Sequence, residues 1–191
     1  MHGEQNSAAA IRRAGELGFG VETDFRNHAG NLILSHDPLP SLTSTPVSKV
    51  DFKGIPTAMN VKEDGLLQNY ADFLSMNSSP KSFIFDGSIP EMVQIHKLGL
   101  PHALRMSEYE RDIPWESPFL WIDGFDSEWW ADLNQMSRLG EKHFLVFVSP
   151  ELHAREYSKS WEFFRLLNIS LAGNFGICTD HPLELSEVIN D

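Results

Sequence analysis

The feature that most constrains this chain is a repeated alternation of short apolar runs with helix-length stretches. The runs fall at residues 19–25, 57–61, 82–86, 103–106, 119–123, 144–148 and 176–179, and most end in polar residues. Helical signals precede the first run at 7–18, where Ser7 is the N-cap candidate and Gly18 the stop, and return at 65–76, 89–98, 127–139, 155–167 and 183–189. Strands alternating with helices of this length predict parallel strands joined by right-handed crossovers. No glycine-rich dinucleotide loop follows any run, which favours a (β/α) barrel over an open doubly wound sheet. Seven parallel strands are one short of the eight that close such a barrel, so the α/β barrel is expected to be incomplete at its N-terminus.

Composition narrows the setting. A chain of 191 residues with 41% apolar residues can bury a real core, and one domain spanning 1–191 is expected. A net charge of −12 argues against nucleic acid or an anionic membrane as partner. One cysteine, Cys178, excludes an internal disulfide and suits a reducing compartment. No apolar run approaches the ~20 residues of a membrane span, and no signal pattern opens the chain. These points read as a soluble, cytoplasmic protein.

Glu22 and Asp24 stand two apart in the first run, so a strand places both carboxylates on one side. A turn at 27–30 then returns the chain through 31–36, bringing His36 back beside them. The alternation alone also allows the plainer reading of a half-solvated strand with a surface histidine. Further polar residues end the later runs, namely Asp86, Arg105, Glu108, Asp123, Ser149, Glu151 and Asp180, and a barrel would gather them at one mouth. Trp129, Trp130, Trp161 and Phe164 fall in helical stretches and read as core. His28, His96, His102, His143, His153 and His181 show no zinc spacing and read as structural or surface residues. The Pro/Ser/Thr-rich stretch 38–48 reads as a loop long enough to carry function.

The order Asn6-Ser7, a helix, Glu22-Thr-Asp24, a hairpin, then His36-Asp37-Pro38 resembles the glycerophosphodiester phosphodiesterase family. The Glu-x-Asp to His-Asp portion is its most specific part. The resemblance implies a barrel whose mouth holds a divalent cation, Mg²⁺ or Ca²⁺, and hydrolyses phosphodiesters. Carried over residue by residue, Glu22 and Asp24 match the metal-binding carboxylates and His36 the second catalytic histidine. Asn60-Val61-Lys62 falls where the family has Glu-x-Lys, so Lys62 matches a phosphate-facing lysine while Asn60 replaces a carboxylate with an amide that still offers a carbonyl oxygen. Trp121 is the candidate apolar wall for a substrate head group, with ordinary packing as the competing reading.

Two departures accompany the match. Gln5-Asn6-Ser7 stands in place of Glu-Asn-Thr, and the family's first histidine, within His-Arg-Gly, would fall upstream of Met1; His2-Gly3 lacks the arginine and lies too close to Asn6. The expected function is therefore metal-dependent hydrolysis of a glycerophosphodiester or related phospholipid head group. The alternative is an impaired barrel that binds phosphate or sugar-phosphate without turnover. A scaffold using its acidic surface is a third, weaker reading. If Met1 is the true start, the open edge of strand 19–25 leads us to expect a homodimer.

Overall fold

The computed structural model describes residues 4–38 and 44–190. His2 and Gly3, and residues 39–43 of the long loop, lie outside them. The chain divides into two compact units, Met1–His102 and Ala103–Asp191.

In the first unit, helix α1 (Ala8–Glu16) begins at Ser7, whose Oγ accepts from Ala10 N at 3.2 Å. The strands are β1 (Val21–His28), β2 (Asn31–Leu34), β3 (Thr45–Pro46), β4 (Thr57–Val61) and β5 (Phe83–Phe85), in the order β3-β2-β1-β4-β5. Strand β1 starts two residues later and runs three further than the sequence suggests, because its outer half continues into the hairpin. It therefore has two kinds of partner. Val21–Phe25 pair in parallel with Thr57–Val61, while Phe25–His28 pair antiparallel with Asn31–Leu34. Helix α2 (Leu67–Asn77) carries the chain from β4 to β5, and α3 (Ile89–Lys97) follows. Ser88 caps α3 and Pro90 occupies its first turn, where a missing N–H costs nothing.

A cluster of Phe25, Phe52 and Phe73, with ring centroids 5.0–6.4 Å apart, fills the space under α2. At the amino ends of β4 and β5 a buried polar knot closes the sheet. Asn77 Nδ2 donates to the carbonyls of Phe52 and Ile55, and Ser82 Oγ donates to Asn77 Oδ1 while accepting from Thr57 N. Each of these side chains has a partner, and the knot lies at the opposite end of β4 from Asn60 and Lys62.

The second unit orders β6 (Ala103–Met106), β7 (Phe119–Ile122), β8 (Phe144–Val148) and β9 (Phe175–Cys178) as β6-β7-β8-β9, all parallel. Helices α4 (Leu133–Gly140), α5 (Ser158–Leu171) and α6 (Pro182–Asn190) cover it. Trp130 is fully buried, stacked on Phe164 at 5.2 Å, and packs with Phe147. It lies before α4 rather than in it: Asp132 caps the helix by accepting from Gln135 N, so the helix begins six residues later than expected. Three strands in the first unit and four in the second run parallel, with helices between them. Among the described residues no helix is long and apolar enough to cross a membrane.

Candidate active site

The parallel-paired stretch of β1 and β4 brings Glu22, Asp24, Asn60 and Lys62 together. Asp24 and Asn60 are register partners, and Glu22 sits opposite Ala58 one pleat earlier. In parallel strands such partners project to the same face, so the two carboxylates and the amide line one surface. Asn60 Nδ2 donates to Glu22 Oε1 at 2.9 Å, and Lys62 Nζ lies 3.2 Å from Asp24 Oδ1.

Asp24 is almost sealed from solvent and has partners for both oxygens. Its Oδ2 accepts from Asn6 Nδ2 at 2.8 Å, and its N–H donates to Asn6 Oδ1 at 3.0 Å. Asn6 adopts a left-handed backbone, φ +59°, which asparagine tolerates better than most residues.

Residue Glu22 remains open to water along part of its surface, while its carboxyl is crowded by protein. That desolvation, then the charge of Asp24, pushes its pKa up to about 7; the Asn60 hydrogen bond and Lys62 oppose the shift, and Asp86 adds to it. Water reaching the exposed part of the side chain screens both raising effects.

Asp86 follows β5 directly and holds a left-handed φ of +65°. It is one of the polar run-ends noted in the sequence, and its charge reaches Glu22.

Asn60 is buried, and among the described residues its Oδ1 has no hydrogen-bond partner. A buried carbonyl oxygen without a donor is costly unless something electropositive meets it. Together with Glu22 and Asp24 it makes a set of hard oxygen donors of the type Mg²⁺ and Ca²⁺ take. Among the described residues no three His, Cys, Asp or Glu side chains converge to hold a metal by themselves, so an ion here would depend on the amide as its third donor.

His36 lies just beyond β2 with its side chain exposed, and its Nδ1 is 3.2 Å from Asp37 Oδ1. Its backbone is fixed from two sides. Ser35 N–H donates to the Asp24 carbonyl at 3.1 Å, and Arg26 donates to the His36 carbonyl through Nε and Nη2. Arg26 also reaches the Lys62 carbonyl through Nη1 at 2.9 Å. The sequence pattern points to neither the bonds of Arg26 nor the grip of Asn6 on Asp24, although Arg26 continues the 22, 24 alternation on β1.

Trp121 belongs to the second unit, buried in β7 between its register partners Arg105 and Val146. That unit carries polar groups of its own at its strand ends. Asp123 Oδ1 accepts from Gly124 N–H and lies 2.7 Å from His153 Nε2, and Arg105 stands 4.0 Å from Asp123 Oδ2. His153, read from sequence as structural or surface, is thus half of a His–Asp pair. The Glu151 carboxylate ties Ser149 to Thr179. Glu108 receives the backbone N–H groups of Phe125, Asp126 and Ser127; burial works against the charge, but these donors hold its pKa down at about 2.

No family model matches the chain. No curated protein matches it either. Among solved structures it is similar to a glycerophosphodiester phosphodiesterase from Agrobacterium tumefaciens str. C58, at 13% identity and a TM-score of 0.53, with 91% of this chain and 92% of that one covered. At this identity the likeness establishes a shared fold over nearly the whole length of both chains.

Proposed function

We propose that this chain is a metal-dependent phosphodiesterase acting on a glycerophosphodiester or a related phospholipid head group. The observation that carries the reading is the convergence of Glu22, Asp24 and the Asn60 carbonyl, which has no partner among the described residues, on two adjacent parallel strands, with Lys62 against Asp24. The fold shared with a glycerophosphodiester phosphodiesterase supports it. A bound Mg²⁺ or Ca²⁺ would neutralise phosphoryl oxygens.

The chain's own groups divide the remaining work. Lys62 offers an ammonium to a second phosphoryl oxygen, and its pairing with Asp24 keeps that charge at the strand end. His36, with one ring nitrogen against Asp37 and its ring exposed, moves a proton to the departing alkoxide. The bond from Ser35 N–H to the Asp24 carbonyl and those from the Arg26 side chain to the His36 carbonyl hold the backbone that carries that imidazole.

One observation favours the second reading, phosphate binding without turnover. Asp24 already spends its two oxygens on Lys62 and Asn6, leaving fewer lone pairs for an ion than a free carboxylate would.

Hydrolysis of a panel of glycerophosphodiesters and a chromogenic phosphodiester, with Mg²⁺, Ca²⁺ or chelator, separates the two. The enzyme reading expects metal-dependent turnover that His36→Ala and Glu22→Ala each lower by about 100-fold or more. Saturable phosphodiester binding with no turnover under any metal would establish the second reading instead.

A further inference from the structure

Two of the residues assigned above to chemistry sit on different loops, one after β2 and one after β4, and a single side chain grips both. Arg26 donates to the His36 carbonyl twice, from Nε at 3.1 Å and Nη2 at 2.9 Å, and to the Lys62 carbonyl from Nη1 at 2.9 Å. Its planar fork presents donors along two edges in fixed geometry, so one guanidinium sets the separation of the two carbonyls. The strand that carries Arg26 also carries Glu22 and Asp24. Neighbouring contacts strengthen the frame: Lys62 N–H donates to the Phe25 carbonyl, and Asn27 N–H donates to Glu63 Oε2.

We propose that Arg26 is a positioning residue that braces the His36 backbone against the Lys62 carbonyl and so places the His36 imidazole for proton transfer to the leaving group. The proposal rests on the phosphodiesterase reading and adds a residue to it. Arg26 acts through backbone carbonyls and needs no contact with substrate. Lysine cannot replace it, because one ammonium on a flexible stem does not bridge two carbonyls with three bonds.

The test uses the leaving group. Two phosphodiesters sharing one alcohol are compared, one expelling p-nitrophenolate and the other a glycerol alkoxide, with wild type, Arg26→Gln, Arg26→Lys, His36→Ala and the Arg26→Gln/His36→Ala double variant. Nitrophenolate leaves without a proton, and the alkoxide does not. The expected result is a loss in kcat of about 100-fold for the glycerol substrate in either Arg26 variant, since an ångström of misplacement costs that much. The nitrophenyl substrate should change by only a few-fold, and the double variant should lose little beyond His36→Ala alone. Equal losses on both substrates, or losses that multiply in the double variant, overturn the proposal and leave the phosphodiesterase reading intact. No turnover of either substrate by the wild type overturns both. Unfolding of Arg26→Gln, read from its urea midpoint, passes the decision to Arg26→Lys, which keeps the charge.

Discussion

Asn6 holds Asp24 at two points of one residue: its amide N–H binds the carboxylate at 2.8 Å, and its carbonyl takes the backbone N–H at 3.0 Å. The same carbonyl also accepts from Thr23 Oγ1 at 2.5 Å. Asn6→Ala leaves one oxygen of a nearly buried carboxylate and a strand N–H unmet, while Lys62 still meets the other oxygen, and should cost about 2–3 kcal/mol in urea unfolding. Asn6→Gly loses the same bonds but relieves the left-handed backbone, so it should cost less than alanine. A midpoint for Asn6→Ala indistinguishable from wild type would show that water replaces the side chain.

The raised pKa of Glu22 makes part of the stability depend on pH. Its folded value, about 7, lies above the ordinary 4.5, so the folded state binds the proton more tightly than the unfolded chain. This contribution is fully present below about pH 4.5 and is lost as pH rises through about 7. Glu22→Gln removes the titration. Its stability relative to wild type should therefore grow from pH 5 to pH 8, and a constant difference across that range would contradict the assignment.

The hairpin turn between β1 and β2 is a two-residue loop, Ala29-Gly30, with φ of +51° and +83°. Two left-handed residues in such a loop match the turn type that prefers Asn-Gly, and alanine is poorly suited to its first position. Ala29→Asn should stabilise the chain by about 0.5–1 kcal/mol, read as a rise in urea midpoint without change of slope.

Gly124 has no room for a side chain. An added Cβ would sit 2.5 Å from the Ser127 carbonyl oxygen and 3.0 Å from Nε1 of the buried Trp130. Backbone and a packed indole do not yield cheaply, so Gly124→Ala should cost about 1–3 kcal/mol and lower the thermal midpoint. Gly30→Ala, where nothing lies within 4 Å, separates backbone strain from crowding.

What could be read from the sequence was what repeats locally. The Ser7 cap, the Ser88-Ile-Pro-Glu start and the Glu22/Asp24 alternation each involve neighbours a few residues apart, and each is found where expected. Helix α5 starts three residues later than the periodicity suggests because Arg155 is committed elsewhere, to Glu128 and the Gly124 carbonyl. The short strand β3 was missed, since two residues carry no period. The site partners Asn6 and Arg26 were missed for the same kind of reason. The Asn6–Asp24 bond spans 18 residues and the Arg26–Lys62 bond 36, and the alternation that puts Arg26 on the face of Glu22 and Asp24 does not name its partners. The placement of Asn60 beside Asp24 depends on parallel register, which becomes visible only once β1 and β4 are paired.

Strand β1 belongs half to a hairpin and half to a crossover, which orders the events of folding. A hairpin closes in about 1–10 μs, whereas β4 must be delivered by the longer connection that follows. The two-residue turn thus fixes the phase of the pleat before β4 arrives. A slip of one residue would send Glu22 and Asp24 to the opposite face, away from Asn60 and Lys62. Which side chains of β1 face Asn60 and Lys62 is in this sense decided at Ala29-Gly30, several residues along the strand from Glu22 and Asp24.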